Sequence, residues 1–148
     1  MKVAVLMGSV KDMPKMEACT TVLDTFSIEY EVHVMSAHRT PEVVGRFAAD
    51  ARKDGFGAII CGAGKAAHLA GAVAAHSTLP VIGIPIAAGG LGGVDALYST
   101  VQMPTGIPVA TVAIDSAANA AYLAVSILSV SDPELADRLA AYRTALKE

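Results

Sequence analysis

The sequence predicts a three-layer α/β/α sandwich around a parallel five-stranded sheet. Three observations carry that expectation. Strand-type and helix-type runs alternate five times along the chain, a pattern that lays strands parallel and covers both faces with helices. The runs Val3–Met7 and Gly57–Cys61 are apolar throughout rather than alternating, as strands buried on both faces must be. The length, 148 residues, suits one core and is short for two. A single domain over 1–148 is therefore expected, with no linker, internal repeat or low-complexity tract.

The elements follow in order. Val3–Met7 is the first strand and Gly8-Ser9-Val10-Lys11-Asp12 the loop after it. Met13, Met16, Cys19, Val22, Leu23 and Phe26 recur at helical spacing, with Pro14 in the first turn. Glu29–Met35 reads as a second strand, and Pro41–Lys53 as a helix stopped by Gly55. Gly57–Cys61 is the third strand. The glycine-rich turn Gly62–Leu69 then opens an alanine-rich helix to about His76. Leu79–Ile86 is a fourth strand broken by Pro80 and Pro85, Ala87–Gly93 a small-residue loop, and Val94–Val101 a short helix. Gln102–Pro108 is a loop, Val109–Ile114 the fifth strand, and Ala117–Leu128 a helix. Ser131-Asp132-Pro133-Glu134 reads as a helix start, with a capping residue and a proline in the first turn, opening a last helix over about 132–147. That helix has no strand after it and is free to pack on a neighbouring subunit.

Composition narrows the function. Hydrophobic residues make up 53% and charged residues 17%, against about 25% charged in average domains. So little polar surface points to an oligomer that hides apolar area, although the many alanines account for part of the excess. The net charge of −3 and the lack of a basic tract argue against nucleic acid. Met1–Met7 is too short for a signal sequence. The longest uncharged apolar stretch, Leu79–Val94, is interrupted by two prolines and falls short of the roughly 18 residues a membrane helix needs. A soluble cytoplasmic protein is expected. Cys19 and Cys61 have neither a disulfide framework nor zinc spacing and read as buried thiols.

Right-handed crossovers bring all strand carboxyl ends to one edge, which is where ligands bind in such sheets. Ser36-Ala37-His38-Arg39-Thr40-Pro41 lies there. It offers a hydroxyl, an imidazole and a guanidinium beside a helix start, which suits an anion and proton transfer. The alternative is that Ser36 or Thr40 only caps the helix and that His38 and Arg39 are solvated. In Gly8–Asp12, backbone N–H groups, Ser9 and Lys11 can face an anion. Asp12 can accept from ribose hydroxyls or simply cap, and capping is the better guess for it taken alone. Gly62-Ala63-Gly64 lacks the third glycine of a dinucleotide fingerprint, but its glycines would let backbone approach a flat ring. His68, early in the following helix, joins His38 at the same edge. His33 and His76 read as structural or surface residues. Ala87–Gly93, with four glycines and no charge, reads as a lid, as tight subunit packing or as a plain mobile loop.

These blocks, in this order, resemble one family. Met7-Gly8-Ser9, Ser36–Pro41, Gly62–Leu69, Gly93–Ser99, Gln102-Met103-Pro104, Gly106–Val109 and Ala118–Ala121 are similar to the N5-carboxyaminoimidazole ribonucleotide mutases of purine biosynthesis, also called the catalytic subunit of phosphoribosylaminoimidazole carboxylase. The resemblance spans nearly the whole chain. It implies a flavodoxin-like subunit in a homo-octamer with active sites at subunit contacts. It also implies transfer of a carboxyl group from nitrogen to ring carbon C4, without metal, ATP or biotin. By that resemblance, Ser9 and Asp12 contact the ring or carboxylate end and the ribose, and Ser36 and Arg39 the phosphate. Ala63, Gly64 and Leu69 line the pocket for ring and carbon dioxide. His38 shuttles the proton and His68 helps hold the moving carboxyl. Ala37, Lys11 and Lys65 join the substrate-binding set.

The departures are specific. Lys11 stands where the family usually has a hydroxyl residue, Lys65 where it usually has a glycine, and Gly89-Gly90 where relatives often carry Ser, Ala or Thr. The two lysines either strengthen phosphate binding or mark an altered substrate. Three rivals remain. A direct carboxylase would take free carbon dioxide, but by the resemblance Arg39, the Ala67-His68-Leu69 block and the lack of Arg-Ser-Asn after Gly62 favour the mutase branch. A nucleotide-binding paralogue without turnover has only the two lysines in its favour. An electron carrier would want aromatic loops around a flavin, and the chain has no tryptophan.

Overall fold

A computed structural model describes residues 1–147. Its strands are β1 (Lys2–Met7), β2 (Tyr30–Val34), β3 (Phe56–Gly64), β4 (Val81–Ile86) and β5 (Ala110–Thr111). Its helices are α1 (Met13–Thr25), α2 (Pro41–Asp50), α3 (Leu69–His76), α4 (Val94–Val101), α5 (Ala117–Ser129) and α6 (Pro133–Ala145), with one 3-10 turn at Val10–Asp12. The sheet runs β2-β1-β3-β4-β5 and every pair is parallel. This is the flavodoxin-like order, and its switch point lies between β1 and β3.

The continuous apolar runs divide by strand parity. Val3, Val5 and Met7 of β1, Ala58 and Ile60 of β3, and Ile82, Ile84 and Ile86 of β4 face one layer. There they meet Met16, Cys19 and Leu23 of α1 and the alanines of α5. Ala4, Leu6, Ile59, Cys61 and Val81 face the other layer, against Val44 and Ala48 of α2 and Leu69, Ala70 and Val73 of α3. Two covered faces explain why neither β1 nor β3 alternates in sequence. The α6 helix caps the first layer within its own chain. Leu135 is buried, and Tyr142 stacks on Tyr122 while sharing a hydroxyl–hydroxyl hydrogen bond with it. The capping residue expected at the start of α6 is Asp132, its carboxylate accepting from the Leu135 N–H at 3.0 Å.

Four local expectations need correction. β3 runs on through Gly62-Ala63-Gly64, so the turn starts at Lys65 and His68 is the residue before α3 rather than inside it. A Cβ on Gly62 would sit 2.4 Å from Met16 Sδ, so this glycine serves core packing and not approach to a ring. Pro85 does not break β4. Its carbonyl, and hence its missing N–H, faces the β5 side, where the ladder has already ended and only the Asp115 N–H reaches in, at 2.9 Å. β5 itself is two residues long rather than six: the Val112 N–H makes a last bond to the Gly83 carbonyl at 3.0 Å, and the chain then enters a turn closed by the Ser116 N–H on the Ala113 carbonyl at 3.0 Å.

Candidate active site

Beyond the carboxyl ends of β1 to β4, four loops meet around a cavity of about 740 Å³. Its wall contains all twelve residues singled out in the sequence: Ser9, Lys11, Asp12, Ser36, Ala37, His38, Arg39, Ala63, Gly64, Lys65, His68 and Leu69. Gly8, Ala66 and Ala88 also line it. Glycine and alanine at Gly8 and Ala66 carry no chemical signal that would have marked them.

The Ser36–Pro41 segment is a turn of its own, not a helix cap. The Thr40 hydroxyl turns back on Ser36, accepting its N–H and donating to its carbonyl, both at 3.1 Å. The Thr40 side chain makes no capping bond to α2. Ser36 Oγ accepts the Arg39 N–H at 3.2 Å, which leaves its own proton free to donate. His38 stands exposed on this turn. Its ring meets that of His68 edge-on, centroids 5.7 Å apart and planes at 61°. Two imidazoles thus share one cavity, although one follows β2 and the other precedes α3.

Arg39 crosses to the first loop, its Nη2 donating to the Gly8 carbonyl at 3.0 Å. One guanidinium nitrogen thereby fixes the fork, and the remaining N–H groups stay free for an anion. Ser9 caps the 3-10 turn by accepting the Lys11 N–H at 3.2 Å, so its hydroxyl proton is also free. Asp12 is not a capping residue: its carboxylate makes no bond to the start of α1. Partial burial pushes its carboxyl above the ordinary carboxylate range, against the pull of the Ser9 backbone and of Lys15. Lys65 holds φ +57°, a left-handed conformation that glycine adopts more readily. Gly64 packs end-on against the neighbouring loop, where a Cβ would lie 2.9 Å from the Ala88 Cβ.

Neither cysteine belongs to this chemistry. Both are buried in the core, and burial pushes the Cys19 thiol up to about 12 and the Cys61 thiol higher still. His33 pairs with Glu31 on β2, and the His76 ring bonds the Ala72 carbonyl within α3, both away from the cavity. Ser9, Ser36 and Arg39 keep unused donors at the cavity wall, while the Thr40 hydroxyl is spent on holding the Ser36 turn. Such an arrangement can grip an anion while two imidazoles and a carboxylate handle protons.

Residues 2–148 match the family model described as AIR carboxylase. The chain is 51% identical over 146 residues to an N5-carboxyaminoimidazole ribonucleotide mutase of Pyrococcus abyssi, covering 99% of this chain and 84% of that one. It is 56% identical over 137 residues to the enzyme of the same name from Aquifex aeolicus, covering 93% and 82%. Its backbone is similar to the crystal structure of Treponema denticola PurE, with a TM-score of 0.89 and 35% identity over 98% of this chain and 90% of that one.

Proposed function

The chain belongs to the AIR carboxylase family, and from that premise we infer that it is an N5-carboxyaminoimidazole ribonucleotide mutase of purine biosynthesis. The observation that carries the inference is the convergence of His38, His68, Arg39 and Asp12 on one cavity with an apolar floor of Ala63, Gly64 and Leu69. The relatives named for this activity supply the substrate class.

Ser36 and Arg39 take the ribose phosphate, with Ala37 between them, and Lys11 and Lys65 add positive charge at the rim. Asp12 and Ser9 take the ribose and the carboxylate end of the ring. The carbamate C–N bond then breaks. Its electron pair stays on nitrogen, which takes a proton from His38. Carbon dioxide, released into the apolar floor and held beside His68, is attacked by ring C4. The new C–C bond forms, and the C4 proton returns to His38. One imidazole suffices because each transfer undoes the other, and an imidazole exchanges protons readily near neutral pH. No covalent nucleophile is required, which agrees with two inert buried thiols.

The same reading places the protein in the cytoplasm as a homo-octamer with sites at subunit contacts. Supporting it are the low charge and the exposed apolar side chains Leu91, Val94, Tyr98 and Val101 on and beside α4. The outer face of α6 is a further place for a neighbouring copy to pack. Incubating the purified protein with N5-carboxyaminoimidazole ribonucleotide, without ATP or added bicarbonate, should give 4-carboxy-5-aminoimidazole ribonucleotide by chromatography. Tight binding without product would instead leave a non-catalytic paralogue.

A further inference from the structure

The loop Ala87–Gly93 hangs from one residue. Asp115 Oδ1 accepts the Ala87 N–H at 2.9 Å, and Lys15 Nζ donates to the Ala87 carbonyl at 2.7 Å. Lys15 and Asp115 close the ring through an ion pair of 2.7 Å. The Asp115 N–H donates to the Pro85 carbonyl at 2.9 Å, which fixes the carboxylate against the end of β4. Asp115 makes these contacts in a left-handed conformation, φ +56°, which aspartate tolerates better than most residues. The far end of the loop returns to the same point. A Cβ on Gly93 would lie 3.1 Å from Ala87 Cα and 2.6 Å from Ile114 Cγ2. Ala88, the next residue, is part of the cavity wall, and a Cβ on Gly89 would lie 3.7 Å from Lys65 Cε. Beyond this base the loop has little support within its own chain: nothing lies within 4 Å of a Cβ on Gly90 or Gly92, and Leu91 is exposed.

We propose that Lys15 and Asp115 are positioning residues: by clamping both backbone groups of Ala87 they hold Ala88 and the glycine loop as the wall that retains carbon dioxide between its release and its recapture. The retention half of this rests on the mutase reading; the clamp half does not. Neither side chain lines the cavity; Lys15 also pulls electrostatically on Asp12, a pull that Asp115→Asn leaves in place, so an effect shared by variants of both residues is the one that runs through Ala87. An exposed ion pair is weak alone, but here it acts together with two bonds to backbone groups that no strand pairs.

The test uses substrate carrying carbon-13 in the N-carboxyl group, mixed for a single turnover in unlabelled bicarbonate. Lys15→Met keeps the stem and removes the charge. Asp115→Asn keeps the left-handed preference and the Ala87 bond but removes the ion pair. Both should lose label from the product on the order of fivefold more often than the unsubstituted protein, and Lys15→Arg should recover retention. Because retention is a ratio within product formed, partial unfolding does not alter it. Retention equal to the unsubstituted protein in both variants overturns the proposal. Amide hydrogen exchange at Gly89–Gly93 should also quicken in both variants, and unchanged exchange overturns the clamp even if the unsubstituted protein shows no turnover. That last result would count separately against the mutase reading.

Discussion

The two ends of the sheet each carry a cavity of similar size and opposite character. At the carboxyl ends, about 740 Å³ is lined by two histidines, an arginine, two lysines and an aspartate. At the amino ends, before β4 and β5, about 590 Å³ is lined by Ala74, Ser77 to Val81 and Gly106 to Ala110, with no titratable side chain. Volume alone would not separate them. The difference follows from chain direction. In a parallel sheet all the strand-to-helix loops emerge at one end, so helix starts, turn hydroxyls and free N–H groups accumulate there. The other end receives helix-to-strand loops, and the two that line this cavity, Ser77 to Pro80 and Gly106 to Val109, turn the chain without contributing a titratable group.

Substitutions can break or sharpen this contrast. The largest effect is expected for His38→Asn, which should lower turnover by on the order of 10²- to 10⁴-fold without changing the fold; near-normal turnover would remove His38 from the proton role. Arg39→Ala should come next, raising KM by roughly tenfold to a hundredfold through loss of a charged hydrogen bond to phosphate, and titration with inorganic phosphate would show the same loss. Lys65→Gly should relax the left-handed backbone at φ +57°. Strain relief exceeds the added freedom of the unfolded chain, so a net gain of roughly 0.5 kcal/mol is expected in denaturant melts. Binding of the anionic substrate should weaken, and unchanged binding would make Lys65 a bystander. The smallest effect belongs to the other cavity, where Ile107→Ala should leave kcat and KM within about twofold.

Much of this architecture is legible in the sequence, because two-sided burial leaves a direct mark. Val3–Met7 could be read as a central strand for that reason, and the alternation of elements then sent Gly8–Asp12, Ser36–Arg39 and Ala63–Leu69 to one edge. What stayed hidden depends on partners distant in sequence. Gly62 reads as a ligand contact until Met16 is seen filling its Cβ space. Thr40 reads as a helix cap until its hydroxyl is seen turned onto Ser36. The fifth strand looks six residues long because Val109–Ile114 is mostly apolar, whereas the turn that the Ser116 N–H closes on the Ala113 carbonyl takes the chain away from β4 early. The ion pair between Lys15 and Asp115 joins positions 100 apart and leaves no local pattern at all.

The central claim is that this cavity moves a carboxyl group already attached to the substrate. The most direct measurement compares two reactions side by side. One tube receives N5-carboxyaminoimidazole ribonucleotide, the other aminoimidazole ribonucleotide with bicarbonate and dissolved carbon dioxide, and 4-carboxy product is quantified in both. Rapid product from the first tube alone is the expected result. Rapid product from the second at ordinary carbon dioxide levels would contradict the account and make the protein a direct carboxylase.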